Sequence, residues 1–213
     1  MKAVSLISRR ADLGRTEFRH YYENTHCWLA MQHFPFRRYV RNHVLDQPQL
    51  DFDCISEFEL AEDLSQYDLM ASRSRQLILD DEQQFMDQSR IRIAAATEYP
   101  LIVPAAEVPA ERLESQVLLL QLEEQPLRAV VEQLARRLAD TRPDLHAMRL
   151  DLLHSDPQRP FPCNALLWLD WLDRREAVPA RLNELPGLLH ELWLVRSSTA
   201  PSQLQERFVA FQP

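Results

Sequence analysis

Glycine is almost missing from this chain: two residues in 213, Gly14 and Gly187, against fourteen prolines. A Gly-rich phosphate loop cannot be built from that supply, which excludes P-loop and Rossmann nucleotide sites. Turns must come from Pro, Asn and Asp instead. Cysteine is also scarce. Cys27, Cys54 and Cys163 stand alone in sequence, so no CxxC zinc knuckle or thioredoxin motif is present. An odd count without a secretion signal points to reduced thiols packed as small hydrophobes. No run reaches the ~18 apolar residues that span a membrane, and the opening MKAVSLISRR is too short in apolar residues for a signal peptide. The expectation is a cytoplasmic protein with no membrane partner. Positive charge is thin as well. The net charge is −8, and Arg37, Arg38 and Arg41 form the densest basic cluster, with acidic segments on either side. A nucleic-acid backbone does not fit such a chain. No HxH or HExxH pattern occurs, so no metal site is expected.

What remains is an ordinary globular composition, 46% apolar and 26% charged. The first half reads strand (Lys2 to Ser8), helix, strand (Phe36 to His43), strand (Asp53 to Leu60), helical segments, and strand (from Arg90). Pro100, Pro104 and Pro109 punctuate the next stretch, and PAAEVPAER reads as a linker. The order then repeats. QVLLLQL is a strand. Leu127, Val130, Val131, Leu134 and Leu138 make a helical stripe. Strands follow over His146 to His154 and Asn164 to Leu172. REAVPARLNEL is a short helix, and Leu188 to Arg196 closes the pattern. Each half is a βαββαβ order, the ferredoxin-like unit. The expectation is an α+β fold of two tandem ferredoxin-like units with antiparallel sheets. The boundaries are residues 1–103, a Pro-rich linker at 104–114, and 115–213. The second-half strands are apolar on both faces, so each sheet needs helices on one side and another sheet on the other. The natural partner sheet is the other half, giving a pseudo-dimer within one chain; pairing with a second chain as a homodimer stays open.

Chemistry concentrates between Arg15 and His43, which holds four of the seven histidines: His20, His26, His33 and His43. Phe18, Tyr21 and Tyr22 form an apolar helical stripe there. Beyond Pro35, Tyr39, Arg41 and His43 share one face of a strand. Tyr39 and His43 lie about 13 Å apart along it, too far to touch but well placed for two ends of one pocket. Arg41 between them suits a carboxylate or enolate oxygen. The alternative is that Arg41 and His43 face solvent while Tyr39 packs. Asp53 and Glu57 share a face with Ile55, and a covered carboxylate there needs a cationic partner.

Four blocks in order carry a family resemblance: TEFRHYYENTH (Thr16 to His26), RRYVRNH (Arg37 to His43), FDCISEFEL (Phe52 to Leu60), and DEQQFMDQS (Asp81 to Ser89) followed by a strand ending in Glu98. Over about residues 1–103 the chain resembles the EthD family of dimeric α+β barrel proteins. The second half matches the barrel pattern but not these blocks, and LADTRPD stands where the first half has His26. The resemblance implies ferredoxin-like sheets closing face to face into a barrel. It implies activity without metal or organic cofactor on small aromatic or polyketide-like molecules. It also places His26 at the family's histidine after the first helix, and Asp87 at a family carboxylate. An imidazole titrating near pH 6.5 suits proton transfer; a structural histidine bonding a loop carbonyl is the other reading. The site expected is therefore His26, Tyr39 and Asp87 as catalytic groups with Arg41 and His43 binding substrate. The activity expected is isomerisation, cyclisation, dehydration or decarboxylation of a carbonyl compound. A non-enzymatic accessory or small-molecule-binding protein supporting a degradation pathway is the alternative.

Overall fold

The computed structural model describes residues 1–45, 47, 49–61, 64, 66–106, 108–122, 127–172, 185 and 187–213. The described residues form eight strands and five α-helices. They are β1 (Lys2–Ile7), α1 (Arg15–Tyr21), α2 (Cys27–His33), β2 (Phe36–Val44), β3 (Cys54–Leu60), α3 (Arg73–Glu82), β4 (Arg92–Ile102), β5 (Leu113–Leu120), α4 (Leu127–Thr141), β6 (Leu145–Ser155), β7 (Ala165–Leu172), β8 (Leu188–Ser198) and α5 (Pro201–Arg207).

The expected two-unit ferredoxin-like α+β arrangement with its own sheet in each half is corrected by the strand order. The strands form one closed barrel, β1-β3-β2-β8-β5-β7-β6-β4, with few helices. The fourth strand shows why. Expected to complete the first half, β4 instead pairs antiparallel with β6, from Ala94↔Ser155 through Ile102↔Met148. A separate four-stranded sheet would leave two edges of unpaired N–H and C=O groups, and closure removes them. Residue alternation reports which face a side chain takes. It carries no record of which strand lies alongside, so the closure was not readable from it. By packing, the chain divides into two compact units: Met1–Ile93 with Arg196–Pro213, and Ala94–Val195.

In the first unit, α1 and α2 are joined by a π-helical turn, Tyr22–His26, so that Arg15–His33 is a single helical run. Its start is fixed by Gly14: the Glu17 carboxylate accepts from the Gly14 N–H at 2.8 Å. It ends at Phe34, which is extended (φ −122) because Pro35 follows and disfavours αR before it. AEDLSQYDLMAS, expected as a helix, is a set of turns where described, with Asp68 accepting from the Met70 and Ala71 N–H groups. Ser72 then caps α3 by accepting from Arg75 N. The expected stripe is present: Phe18 and Tyr22 are buried, and Tyr21 stacks on Phe85 at 5.3 Å.

Strand parity sorts the polar residues. Tyr39, Arg41 and His43 lie opposite Phe58, Ser56 and Cys54 in the β2–β3 ladder. Their shared face packs under the helices, where Tyr39 and Cys54 join Phe18, Tyr22, Met31, Ile78 and Phe85 in one core cluster. The opposite face carries Glu57, which accepts from Lys2 at 2.8 Å, Arg38 at 3.1 Å and Asn42 at 3.0 Å. Asp53 pairs with Arg9 and Arg15. Both carboxylates thus have the cationic partners that burial demands. The C-terminal segment docks on this unit. The Val209 and Ala210 N–H groups donate to Gln32 O, Gln212 exchanges two hydrogen bonds with Ser74, and Phe211 packs on Phe34 at 5.8 Å.

The second unit buries its own core. Val131, Ala135 and Leu138 of α4 pack with Leu118, Leu120, Met148, Leu150, Leu167 and Trp171. Its buried tryptophans keep their N–H groups satisfied: Trp168 donates to Asp151 at 2.7 Å and Trp171 to Gln116 at 3.0 Å. The helix expected over Arg175–Leu185 lies outside the described residues except for Leu185. His154 is exposed beside Thr97, so it belongs to the strand end.

Gly187 is the position where glycine's freedom is used. Its φ is +77, and a Cβ there would lie 1.9 Å from Gln121 O, the residue whose N–H donates to Gly187 O at 2.7 Å. Gly187→Ala is expected to lower stability by about 1–3 kcal/mol. Urea denaturation checks this as a lower midpoint at unchanged slope.

Candidate functional site

The π turn sets the geometry. A π-helical turn is rare and often marks a functional site, because it widens the helix and re-aims side chains. Tyr22 and His26 sit at its two ends with rings 5.1 Å apart, edge to face, and both are buried. Glu23, between them, reaches β2. One carboxylate oxygen is 2.7 Å from His43 Nε2, and the other accepts from Arg41 Nη2 at 2.8 Å. Arg41 also donates to Tyr39 O at 3.2 Å and Thr199 Oγ1 at 2.9 Å. Burial pushes the Glu23 carboxyl up, but hydrogen bonds from His43 and Arg41 outweigh it and hold the group at about 2.

A cavity of about 280 Å³ lies between the helices and the sheet of this unit. Its walls are mostly apolar, with Ile7, Phe36, Phe58 and Ile78 among them. The polar groups on them are few: His26, Tyr22, Tyr39, Ser5, Ser56, and an Arg75–Glu82 pair from α3. His26 Nδ1 is 2.7 Å from Asp81 Oδ2, and Tyr21 donates to Asp81 Oδ1 at 2.8 Å. Burial raises the Asp81 carboxyl, yet the bonds from His26 and Tyr21 carry it below the usual carboxylate value. It is therefore an anion at neutral pH and can only accept. The proton on His26 is thereby assigned to Nδ1, which leaves Nε2 as the basic atom. Among the described residues Nε2 has no hydrogen-bond partner.

Tyr39 Oη is 3.4 Å from Tyr22 Oη. Burial drives both phenols well above the ordinary tyrosine value. Both stay protonated at neutral pH and keep their O–H groups as donors. Tyr21 is pushed up to about 12 by burial and by its bond to the Asp81 carboxylate.

Of the five residues expected at the site, the structure brings His26 and Tyr39 together on the cavity wall. Arg41 and His43 share their strand face with Tyr39, but they are committed to Glu23 and do not line the cavity. Asp87 lies elsewhere: it caps the 3₁₀ turn Gln88–Arg90, accepting from Ser89 N at 3.1 Å and Ser89 Oγ at 2.6 Å. The carboxylate that meets His26 is Asp81, six residues earlier. Sequence reasoning missed Asp81, Glu23, Arg75 and Glu82. One signal was available. In a helix with Ile78 inward, Asp81 and Glu82 fall at i+3 and i+4 and share the covered side. Cys27 adjoins His26, but its thiol bonds Glu23 O at 3.0 Å and is raised to about 11, chiefly by burial. It is a packing residue.

Residues 10–89 match the family model of the EthD domain. The resemblance read from the four sequence blocks holds for that stretch. No curated protein sequence matches the chain. Among solved structures, an anthrone oxidase-like protein superposes with a TM-score of 0.56 at 10% identity, over 92% of each chain. A protein of Fusobacterium nucleatum subsp. nucleatum, whose name proposes monooxygenase activity, gives 0.56 at 9% identity, again over 92% of each chain. Both have the dimeric α+β barrel fold. At such identity the likeness is one of fold. Among the described residues no helix is long and apolar enough to cross a membrane.

The acid limb of stability follows from Glu23. Its folded pKa lies below its ordinary value of 4.5, at about 2, so its contribution is complete above about pH 4.5 and is lost as pH falls toward 2. The gap in unfolding free energy between wild type and Glu23→Gln is expected to shrink by about 3 kcal/mol over that window. Chemical denaturation at pH 5 and pH 2.5 measures it; a constant gap contradicts the ion-pair assignment.

Proposed function

We propose that the first unit is an enzyme acting by acid–base chemistry alone on a small, apolar, carbonyl-containing aromatic or polyketide-like molecule bound between its helices and sheet. The observation that carries this reading is the His26–Asp81 pair on the wall of an apolar cavity. A carboxylate-held imidazole in a mostly apolar pocket is a general base with a defined tautomer. Nε2 takes a proton from carbon next to the carbonyl, and the electron pair moves onto the carbonyl oxygen. Tyr22, kept neutral, donates to the oxyanion that forms, and Tyr39, whose hydroxyl donates to Tyr22, supports that donor. Arg41, expected to bind a substrate oxygen, does not take that part. Its bonds to Glu23, Tyr39 O and Thr199 leave it to hold β2 to the helix instead. The cavity volume lies at the low end for ligand sites and favours a molecule of two or three fused rings. Proton return to a different atom gives isomerisation; loss of a leaving group from the enolate gives dehydration. The activity is placed in the cytoplasm, with a small molecule as partner.

Anthrone is a suitable probe, since its methylene is a carbon acid conjugated to a ketone and one structural neighbour is named anthrone oxidase-like. Deuterium incorporation at that methylene in D₂O, followed by NMR across a panel of aryl ketones, should be accelerated by the wild-type protein. His26→Ala is expected to lose about 10²–10⁴ of the acceleration, assayed below the lowered melting temperature that follows from taking the imidazole away from Asp81, and Asp81→Asn to lose a smaller part by freeing the tautomer. Full acceleration in His26→Ala would refute the mechanism.

A further inference from the structure

α3 sends Asp81 to His26. One residue further on it sends Glu82 to Arg75, and that second pair also lines the cavity. Arg75 Nη1 donates to Glu82 Oε1 at 2.7 Å and Nη2 to Oε2 at 3.2 Å. Gln88 Nε2 adds a bond to the same carboxylate at 3.2 Å. Glu82 is almost wholly enclosed and Arg75 mostly so, with side-chain exposures of 6% and 20%.

This pair is hard to account for as a structural bridge. Both partners sit on one helix, seven residues apart, so the pair ties together nothing the helix does not already hold. Placing two charges in an apolar wall costs desolvation, and a hydrophobic pair of similar volume does as well or better for stability. The geometry of the guanidinium gives it another use. Glu82 occupies the end-on fork, one N–H from each terminal nitrogen. Nε–H and the N–H beside it, the side-on fork, have no partner among the described residues. Two parallel donors at that spacing match the two oxygens of a carboxylate. Glu82 and Gln88 hold the guanidinium in one orientation, so little side-chain entropy remains to be lost when an anion binds.

We infer that Arg75 is the specificity residue of the cavity and that the ligand carries a carboxylate, with its aromatic body along the apolar wall. This rests on the reading of the cavity as a ligand site. It narrows the substrate class from aromatic ketones to aromatic keto acids. The carboxylate docks on the free fork of Arg75, while the carbonyl and its acidic carbon are presented to Tyr22, Tyr39 and His26.

Binding of 2-naphthoate and its neutral isostere 2-naphthamide, measured by titration calorimetry at fixed ionic strength, tests the assignment without requiring turnover. Wild type should bind the acid at least tenfold more tightly than the amide. Arg75→Met should reduce that preference to less than threefold. Because Arg75→Met leaves Glu82 without its cation, Arg75→Met/Glu82→Gln is measured beside it and should show the same loss. His26→Ala should retain the full preference. The inference is overturned if neither probe binds, if acid and amide bind equally to wild type, or if the preference survives the double variant. It is equally overturned if the preference disappears in His26→Ala, which would place the anion on the imidazole. A retained acid preference alongside failed deuterium exchange would keep Arg75 as the anion site while removing the proton-transfer role of His26, so the two readings fail separately.

Discussion

Glu23 binds Arg41 and His43 at once, and through that one carboxylate the helical run is fixed on the strand beneath it. A carboxylate so enclosed is tolerated only with hydrogen-bonding partners in good geometry, here the Arg41 guanidinium and the His43 ring, and both partners stand at alternate positions of β2, which the pleat points to the same side. The backbone meets the demand by widening into a π turn over Tyr22–His26. With Glu23 bonded to β2, Tyr22 and His26 at the ends of the turn line the cavity. Thr199 closes the arrangement from the other end of the chain by accepting from Arg41.

The cavity lies beside this anchor rather than over it. Arg41 and His43 serve the scaffold; Tyr22, Tyr39 and His26 meet the open space. The division follows from bonding: Arg41 and His43 are committed to Glu23, while the Tyr22 hydroxyl and His26 Nε2 still have hydrogen-bonding capacity to offer. α3 supplies the remaining polarity from the facing side. Asp81 sets the tautomer of His26, and Arg75 with Glu82 puts a second polar group on an otherwise apolar wall. The C-terminal segment braces this region by bridging Gln32 at the end of α2 and Ser74 at the start of α3.

Much of the local structure could be read directly. The stripe Phe18, Tyr21, Tyr22 gave the buried face of α1, alternation gave the common face of Tyr39, Arg41 and His43, and the need of buried carboxylates for cations anticipated the partners of Asp53 and Glu57. The four blocks identified the EthD stretch. Partner choice was not legible. Asp87 and Asp81 both lie within DEQQFMDQS; helical spacing puts Asp81 on the side of Ile78, but spacing does not say which distant group that side meets, here an imidazole 55 positions away.

The sequence by itself determined the order of the strands, the face each strand residue takes, and His26 and Tyr39 as groups worth testing. These depend on periodicity and on side-chain chemistry, which are properties of neighbours in the chain. Tertiary structure alone decided that the sheet closes into one barrel, that Arg41 and His43 turn to Glu23, and that Asp81 holds His26. Those outcomes depend on which distant groups meet in space, and burial then leaves each charge no alternative but the partner it meets.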